Sequence, residues 1–156
     1  MEWETVSYFL EKIRAHSEDL FRHSLNVANL ALHMAAELGL EATTCEVLLC
    51  AALLHDLGKI RIGTHILNKP GPLSAAEWEE MKRHPAWGAA MLAATGQQDP
   101  LILDLIRLHH ERWDGKGYLG CPGPELPLPA RILILADALA AMTDRSPYQR
   151  EKNWGR

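Results

Sequence analysis

His55 and Asp56 stand side by side at the end of the apolar run Val47 to Leu54, and Gly58 and Lys59 follow them. Successive residues of a helix point about 100° apart, so the pair cannot chelate one ion as an i, i+4 pair would. The imidazole can take one ion while the carboxylate reaches between two. Other polar residues occupy apolar stripes or helix ends: His23, His84, His109, His110 and Asp137. Each has a plain structural reading. His23 could be a satisfied core histidine, His84 a helix cap, His109-His110 a solvated helix end. Asp137 interrupts the apolar run Ile132 to Leu139, where an unpartnered carboxylate is costly; Arg131 or Arg107 could pair with it. For five histidines and two aspartates at once, every one of those readings would have to hold independently. Together, imidazole and carboxylate form a donor set for iron, manganese, nickel, cobalt or zinc. Seven ligands exceed one tetrahedral site but suit two six-coordinate ions sharing a carboxylate, Asp56, and a hydroxide. Such a site activates water and clamps the oxygens of an in-line phosphoryl displacement. Lys59 is spaced to hold a phosphate oxygen as a point charge. The chemistry that fits is metal-assisted phosphoester hydrolysis.

The elements that must position these groups read as helices. Val6, Phe9, Leu10 and Ile13 mark a first helix over residues 3 to 15, and a stronger stripe (Leu20, Val27, Ala31, Met34, Leu38) marks a second over 17 to 38, stopped by Gly39. Asp19 and His23 share one face of it. Residues 44 to 57, capped by Thr43 or Thr44, form a helix apolar nearly all round and therefore central, ended by Gly58. Lys59 to Leu73 reads as a loop. Ser74-Ala75-Ala76-Glu77 is a capping box for a helix to about Arg83. His84-Pro85 marks a boundary, with a short helix from Trp87 to Ala94. Asp99-Pro100 caps and opens a helix running to His109-His110-Glu111. Residues 113 to 128 form a long loop with Gly115, Gly117, Gly120 and Gly123, and a loop of that length is usually functional. Pro129 opens the last helix. No strand alternation occurs, so the fold class is all-α.

At 156 residues, 47% hydrophobic and 23% charged, the chain reads as one globular domain over 1–156. A net charge of −4 argues against nucleic-acid polymers as partners. Cys45, Cys50 and Cys121 form no CxxC pair, which suits inert thiols in a reducing compartment. With no signal peptide and no apolar run of membrane-spanning length, the expectation is a cytoplasmic protein.

The motifs resemble the HD-GYP family. They are His55-Asp56-x-Gly58-Lys59, then Ile66-Leu67-Asn68-Lys69-Pro70-Gly71-Pro72-Leu73, then Glu77 and Met81 before His84-Pro85-x-x-Gly88. His109-His110-Glu111-x-x-Asp114-Gly115-x-Gly117-Tyr118, Ala130-Arg131-Ile132-Leu133 and Ala136-Asp137-Ala138 continue the likeness. It runs from about His23 to Tyr148. The resemblance implies an HD-superfamily bundle of about six to seven helices and a bacterial signalling enzyme that hydrolyses cyclic di-GMP to pGpG, sometimes on to GMP. It also implies metal ligation by His23, His55, Asp56, His84, His109, His110 and Asp137, with two divalent transition metals per chain, iron or manganese first and nickel, cobalt or zinc as alternatives. Asp19 stands where some members use a glutamate for a third metal. Lys59 would contact the scissile phosphate, with Asp56 as its catalytic neighbour.

The chain departs from the family pattern in three places. Gly117-Tyr118-Leu119 lacks proline in third position, Ala140 stands where an acid is common, and the closing motif reads Arg145-Ser146-Pro147-Tyr148-Gln149-Arg150. Arg145 and Arg150 are the candidate substrate-binding cations, with a solvated basic tail as the other reading. Family domains continue with further helices beyond this point, which implies a trimmed or short domain, regulatory domains in a longer parent protein, and an apolar face suited to a homodimer. Two other functions compete: hydrolysis of other nucleotides, since the ligand set does not select a base, and a catalytically weak sensor or scaffold.

Overall fold

In the computed structural model, residues 3–96 and 99–144 are described, and their regular elements are all helical with no strand among them. In order come α1 (Trp3–His16), α2 (Glu18–Glu37), α3 (Ala42–Leu54), the single turn α4 (Thr64–Leu67), α5 (Ala75–Met81), α6 (His84–Ala93), α7 (Pro100–Leu108) and α8 (Leu128–Thr143). Two 3-10 turns, Leu57–Arg61 and Gly123–Glu125, complete the set. Seven of the helices have seven residues or more, in line with the expected bundle. Arg145 and Arg150 lie outside the described residues.

Local chemistry sets the ends of these elements. The Ser17 hydroxyl accepts the Leu20 N–H and starts α2, while Gly39 at φ 68° lets the chain turn after it. The capping box is present: Ser74 accepts the Glu77 N–H, and the Glu77 carboxylate accepts the Ser74 N–H. The Asp99 side chain accepts the Leu101 N–H at the head of α7.

α3 is the central rod. Leu48, Cys50, Ala51, Ala52, Leu53 and Leu54 are all buried, as a helix apolar on every side requires. α2, α7 and α8 pack around it, and α6 packs on α7 and on the turn Leu57–Arg61. Leu48, Leu54 and Leu133 are fully buried, each worth roughly 1.5–3 kcal/mol of transfer free energy. The polar residues of interest sit at the inner ends of these packed helices.

Several boundaries differ from the sequence reading. α3 starts at Ala42 behind Glu41, which makes no side-chain cap, so neither Thr43 nor Thr44 is the N-cap. It ends at Leu54, leaving His55 as C-cap and Asp56 at φ −95°, ψ 9°. Gly58 therefore does not end a helix. It sits inside the 3-10 turn, where an added Cβ would lie 1.9 Å from the His84 carbonyl oxygen and 2.7 Å from the Gly88 nitrogen. Glycine is needed there for close approach. The 59–73 segment contains α4, α6 begins at His84 itself, α7 stops at Leu108, and α8 begins at Leu128.

Candidate metal centre

Three histidines are oriented by one device. His55, His84 and His109 each stand at or just beyond a helix C-terminus, where last-turn carbonyls lack intrahelical partners. In each, Nδ1 donates to the carbonyl three residues back: His55 to Ala52 at 2.7 Å, His84 to Met81 at 2.7 Å, His109 to Ile106 at 2.7 Å. That bond places a proton on Nδ1 and turns Nε2 inward, the nitrogen a metal ligand would present. His23 on α2 is held between two carboxylates instead. Its Nε2 lies 2.9 Å from Asp137 Oδ1 and its Nδ1 2.6 Å from Asp144 Oδ2. Asp144 is itself steadied by the Asn26 amide at 2.9 Å.

The Nε2 atoms of His55, His84 and His109 converge on Asp56. Its Oδ1 lies 3.2 Å from His84 Nε2 and 3.7 Å from His109 Nε2, and its Oδ2 lies 3.4 Å from His55 Nε2. His55 Nε2 is also 3.7 Å from Asp137 Oδ1. Two groups result, each with ligand atoms within 4.8 Å of one another: Asp56, His84, His109 and His110, and separately His23, His55 and Asp137. Asp56 faces both. The Lys59 ammonium, its side chain 19% exposed, donates to Asp56 Oδ2 at 2.7 Å and so stands between this pair of groups and solvent.

The interior chemistry fits divalent cations. With their Nδ1 atoms already donating, His84 and His109 bring their Nε2 atoms within 3.2 Å of each other, a convergence of imidazole nitrogens that suits a cation. His55 Nε2 and Asp56 Oδ1 are buried with no hydrogen-bond partner, a costly state for protein atoms that are not ligands. Burial pushes the His84 pKa down to about 4, and burial first of all holds His110 well below its usual value, so both imidazoles are neutral near pH 7. Burial opposes ionisation of Asp56 and Asp137, but Lys59 and His55 around the first and His23 beside the second hold both carboxyls below the usual range. Burial likewise disfavours charge on His23, yet its bonds to Asp137 and Asp144 outweigh this and raise it to about 9. A proton there occupies the place between carboxylates that a metal cation suits.

The seven side chains expected at a metal site are thus brought together. Asp19 is not: it is exposed, one turn before His23, outside both groups. Asp137 pairs with neither Arg131, which donates to the carbonyls of Leu126 and Pro124, nor Arg107, which bonds Asp104. Sequence reasoning missed Asp144 and Asn26, because a carboxylate at the start of a polar tail looks solvated. Glu111 stood out in the sequence only as part of a motif. Its sequence signal is a carboxylate directly after His109-His110 and before the glycine-rich loop; it is buried, and its two oxygens accept the N–H groups of Leu119 and Cys121.

Residues 20–142 match the family model of the HD domain. The chain is 37% identical over 138 residues to the 3′3′-cGAMP-specific phosphodiesterase 1 of Vibrio cholerae serotype O1, covering 88% of this chain and 32% of that protein. It is 38% identical over 135 residues to a cyclic di-GMP phosphodiesterase of Thermotoga maritima, covering 84% of this chain and 36% of that one. The chain spans about a third of the length of these curated relatives. Among solved structures it resembles the HD domain of the L. monocytogenes phosphodiesterase PgpH, with a TM-score of 0.69 at 18% identity over 88% of this chain and 74% of that one, a likeness of fold.

Proposed function

The chain belongs to the HD domain family, and on that premise we propose that it is a metal-dependent phosphodiesterase cleaving cyclic di-GMP to linear pGpG, with GMP as a further product. His23, His55 and Asp137 would hold one divalent ion, and His84, His109 and His110 a second, with Asp56 reaching both. Bound there, such ions supply Lewis acidity at a phosphate oxygen and lower the pKa of water. Iron and manganese would suit this donor set of imidazoles and carboxylates; nickel, cobalt and zinc accept the same ligands.

The reaction adds one water across one P–O3′ bond. The water oxygen joins phosphorus, the P–O3′ bond breaks, and a proton passes to O3′. In this chain Lys59 presents a cation beside Asp56, where it can hold a non-bridging phosphate oxygen and offset its charge. Asp56 keeps that ammonium aimed. His84, His109 and His55, locked through Nδ1, meet the substrate-bound state without reorganising. Arg145 and Arg150 are proposed to grip a second phosphate or a guanine edge.

The observation that carries this reading is the convergence of the His55, His84 and His109 Nε2 atoms on the buried Asp56 carboxylate, whose Oδ1 has no hydrogen-bond partner. The test is anaerobic purification with metal quantification, followed by hydrolysis assays on cyclic di-GMP, 3′3′-cGAMP and linear dinucleotides. Roughly two transition metals per chain are expected, with cyclic di-GMP turned over fastest. A preparation with fewer than about one metal per chain would sink the enzyme reading. Asp56→Ala should abolish metal retention and hydrolysis together; hydrolysis surviving without metal would overturn the mechanism. A second substrate, 3′3′-cGAMP, is favoured by the name of the Vibrio cholerae relative. Faster turnover of that compound would replace cyclic di-GMP here.

A further inference from the structure

His110 differs from the other histidines of the centre. No hydrogen bond among the described residues fixes its ring, whereas His55, His84 and His109 are each tied through Nδ1. Ring contacts hold it instead. His109 lies 4.1 Å away between centroids at 45°, His84 5.0 Å away at 86°, and Tyr118 4.7 Å away at 30°. Tyr118 is the partner that closes His110 from the loop side, and Trp78 meets it edge-on at 6.2 Å. Where Tyr118 sits is therefore a question of what holds the 113–128 loop.

The loop is tied to one side chain. Glu111, adjacent to His110 and 2% exposed, accepts the Leu119 N–H at 2.6 Å on Oε1 and the Cys121 N–H at 2.7 Å on Oε2. These two bonds flank Gly120 and fix the backbone directly after Tyr118. Gly117 allows the approach: a Cβ there would lie 2.4 Å from Glu111 Cα and 2.8 Å from the His110 carbonyl oxygen. Leu119 contributes only its backbone, since its side chain is 64% exposed. A proline at 119, lacking an N–H, could not make that bond.

We propose that Glu111 is a positioning residue of the metal centre, its carboxylate clamping the loop backbone at Leu119 and Cys121 so that the Tyr118 ring is seated against His110. The leucine of Gly117-Tyr118-Leu119 thereby supplies a second anchor to the loop. The consequence for metal binding rests on the reading of His110 as a ligand; the clamp itself does not.

The test compares wild type with Glu111→Gln, Tyr118→Ala, Tyr118→Phe and the double variant Glu111→Gln/Tyr118→Ala. Glutamine keeps the shape but offers one acceptor oxygen, so one loop N–H faces an amide NH2. In metal-free protein, NMR should show hydrogen exchange at the Leu119 and Cys121 amides about tenfold faster or more in Glu111→Gln. The His110 ring resonances should move as they do in Tyr118→Ala. On manganese(II) titration, Glu111→Gln and Tyr118→Ala should each weaken one site about tenfold, and the double variant no further, while Tyr118→Phe behaves as wild type. Leu119→Pro, which leaves Glu111 intact, should speed exchange at Cys121 and guards against a folding defect in Glu111→Gln. Unchanged amide exchange in Glu111→Gln, or losses that multiply in the double variant, would overturn the proposal. If the chain binds none of manganese, iron, nickel, cobalt or zinc, the proposed function fails, while exchange and ring shifts still decide the clamp.

Discussion

At the residue scale, this site depends on where each imidazole places its second nitrogen. A histidine in a core is ordinary when both nitrogens are satisfied. Here three rings spend Nδ1 on the helix-end carbonyls of Ala52, Met81 and Ile106 and leave Nε2 pointing inward. His23 uses a carboxylate, Asp144, for the same purpose. Such supports tune ligand basicity and ring orientation. Asp144→Ala should therefore weaken metal binding at the His23, His55, Asp137 group by roughly ten- to a hundredfold, read by manganese titration. An unchanged affinity would show that Asp144 does not support His23. His23, His55, His84, His109, His110, Asp56 and Asp137 were nameable from sequence because polar groups in apolar runs need a reason. Asp144 was not, because nothing local distinguishes a capping, partnered carboxylate from a solvated one.

At the element scale, the turn Leu57–Arg61 is what allows α3 and α6 to bring Asp56 and His84 together. Gly58 permits that contact, since any Cβ would meet the His84 carbonyl and the Gly88 nitrogen. Gly58→Ala should cost about 1–3 kcal/mol, as overpacking against backbone does, and should reduce metal retention with it; chemical denaturation and metal analysis check both. α5, which precedes His84, is held by its capping box and by the Lys69–Glu77 pair at 2.6 Å. The Lys69 ammonium, with the Ser74 N–H, lowers the Glu77 pKa from 4.5 to about 2. A carboxylate depressed in the folded state contributes stability that is present above its unfolded pKa and lost as pH falls through its folded one. This contribution is thus complete above pH 4.5 and fades towards pH 2. Glu77→Gln should flatten that part of the stability–pH curve. An unaltered slope would show that the pair is solvated and idle.

At the scale of the whole molecule, buried polar groups of opposing character are concentrated at one point among α2, α3, α6, α7 and α8. There the His84 and His109 Nε2 atoms approach to 3.2 Å, and His55 Nε2 and Asp56 Oδ1 have no hydrogen-bond partner. Metal binding to the folded state alone should therefore stabilise the chain, by about 2.7 kcal/mol at a free metal concentration a hundred times Kd. A chelator should lower the Tm of the purified protein and leave Asp56→Ala unmoved. A Tm indifferent to chelator in both would mean that no metal is coupled to folding. No helix among the described residues is long and apolar enough to cross a membrane.

The sequence by itself determined the helical class, the central place of α3, the capping box and Asp99 cap, and the identity of the polar residues gathered in the core. Those follow from short-range rules: periodicity, cap chemistry and the cost of burying a lone charge. It misjudged where α3 ends, because His55 and Asp56 continue a helical pattern while the close approach of Gly58 to α6 forces a 3-10 turn. Only the tertiary structure decided how the ligand atoms divide into two groups, that Asp56 faces both, and that Asp19 stands apart. It alone placed Asp144 on His23 and tied the loop to Glu111. The physical reason is distance along the chain. The His23–Asp144 bond spans 121 residues, and no local pattern encodes a contact made by packing helices from opposite ends.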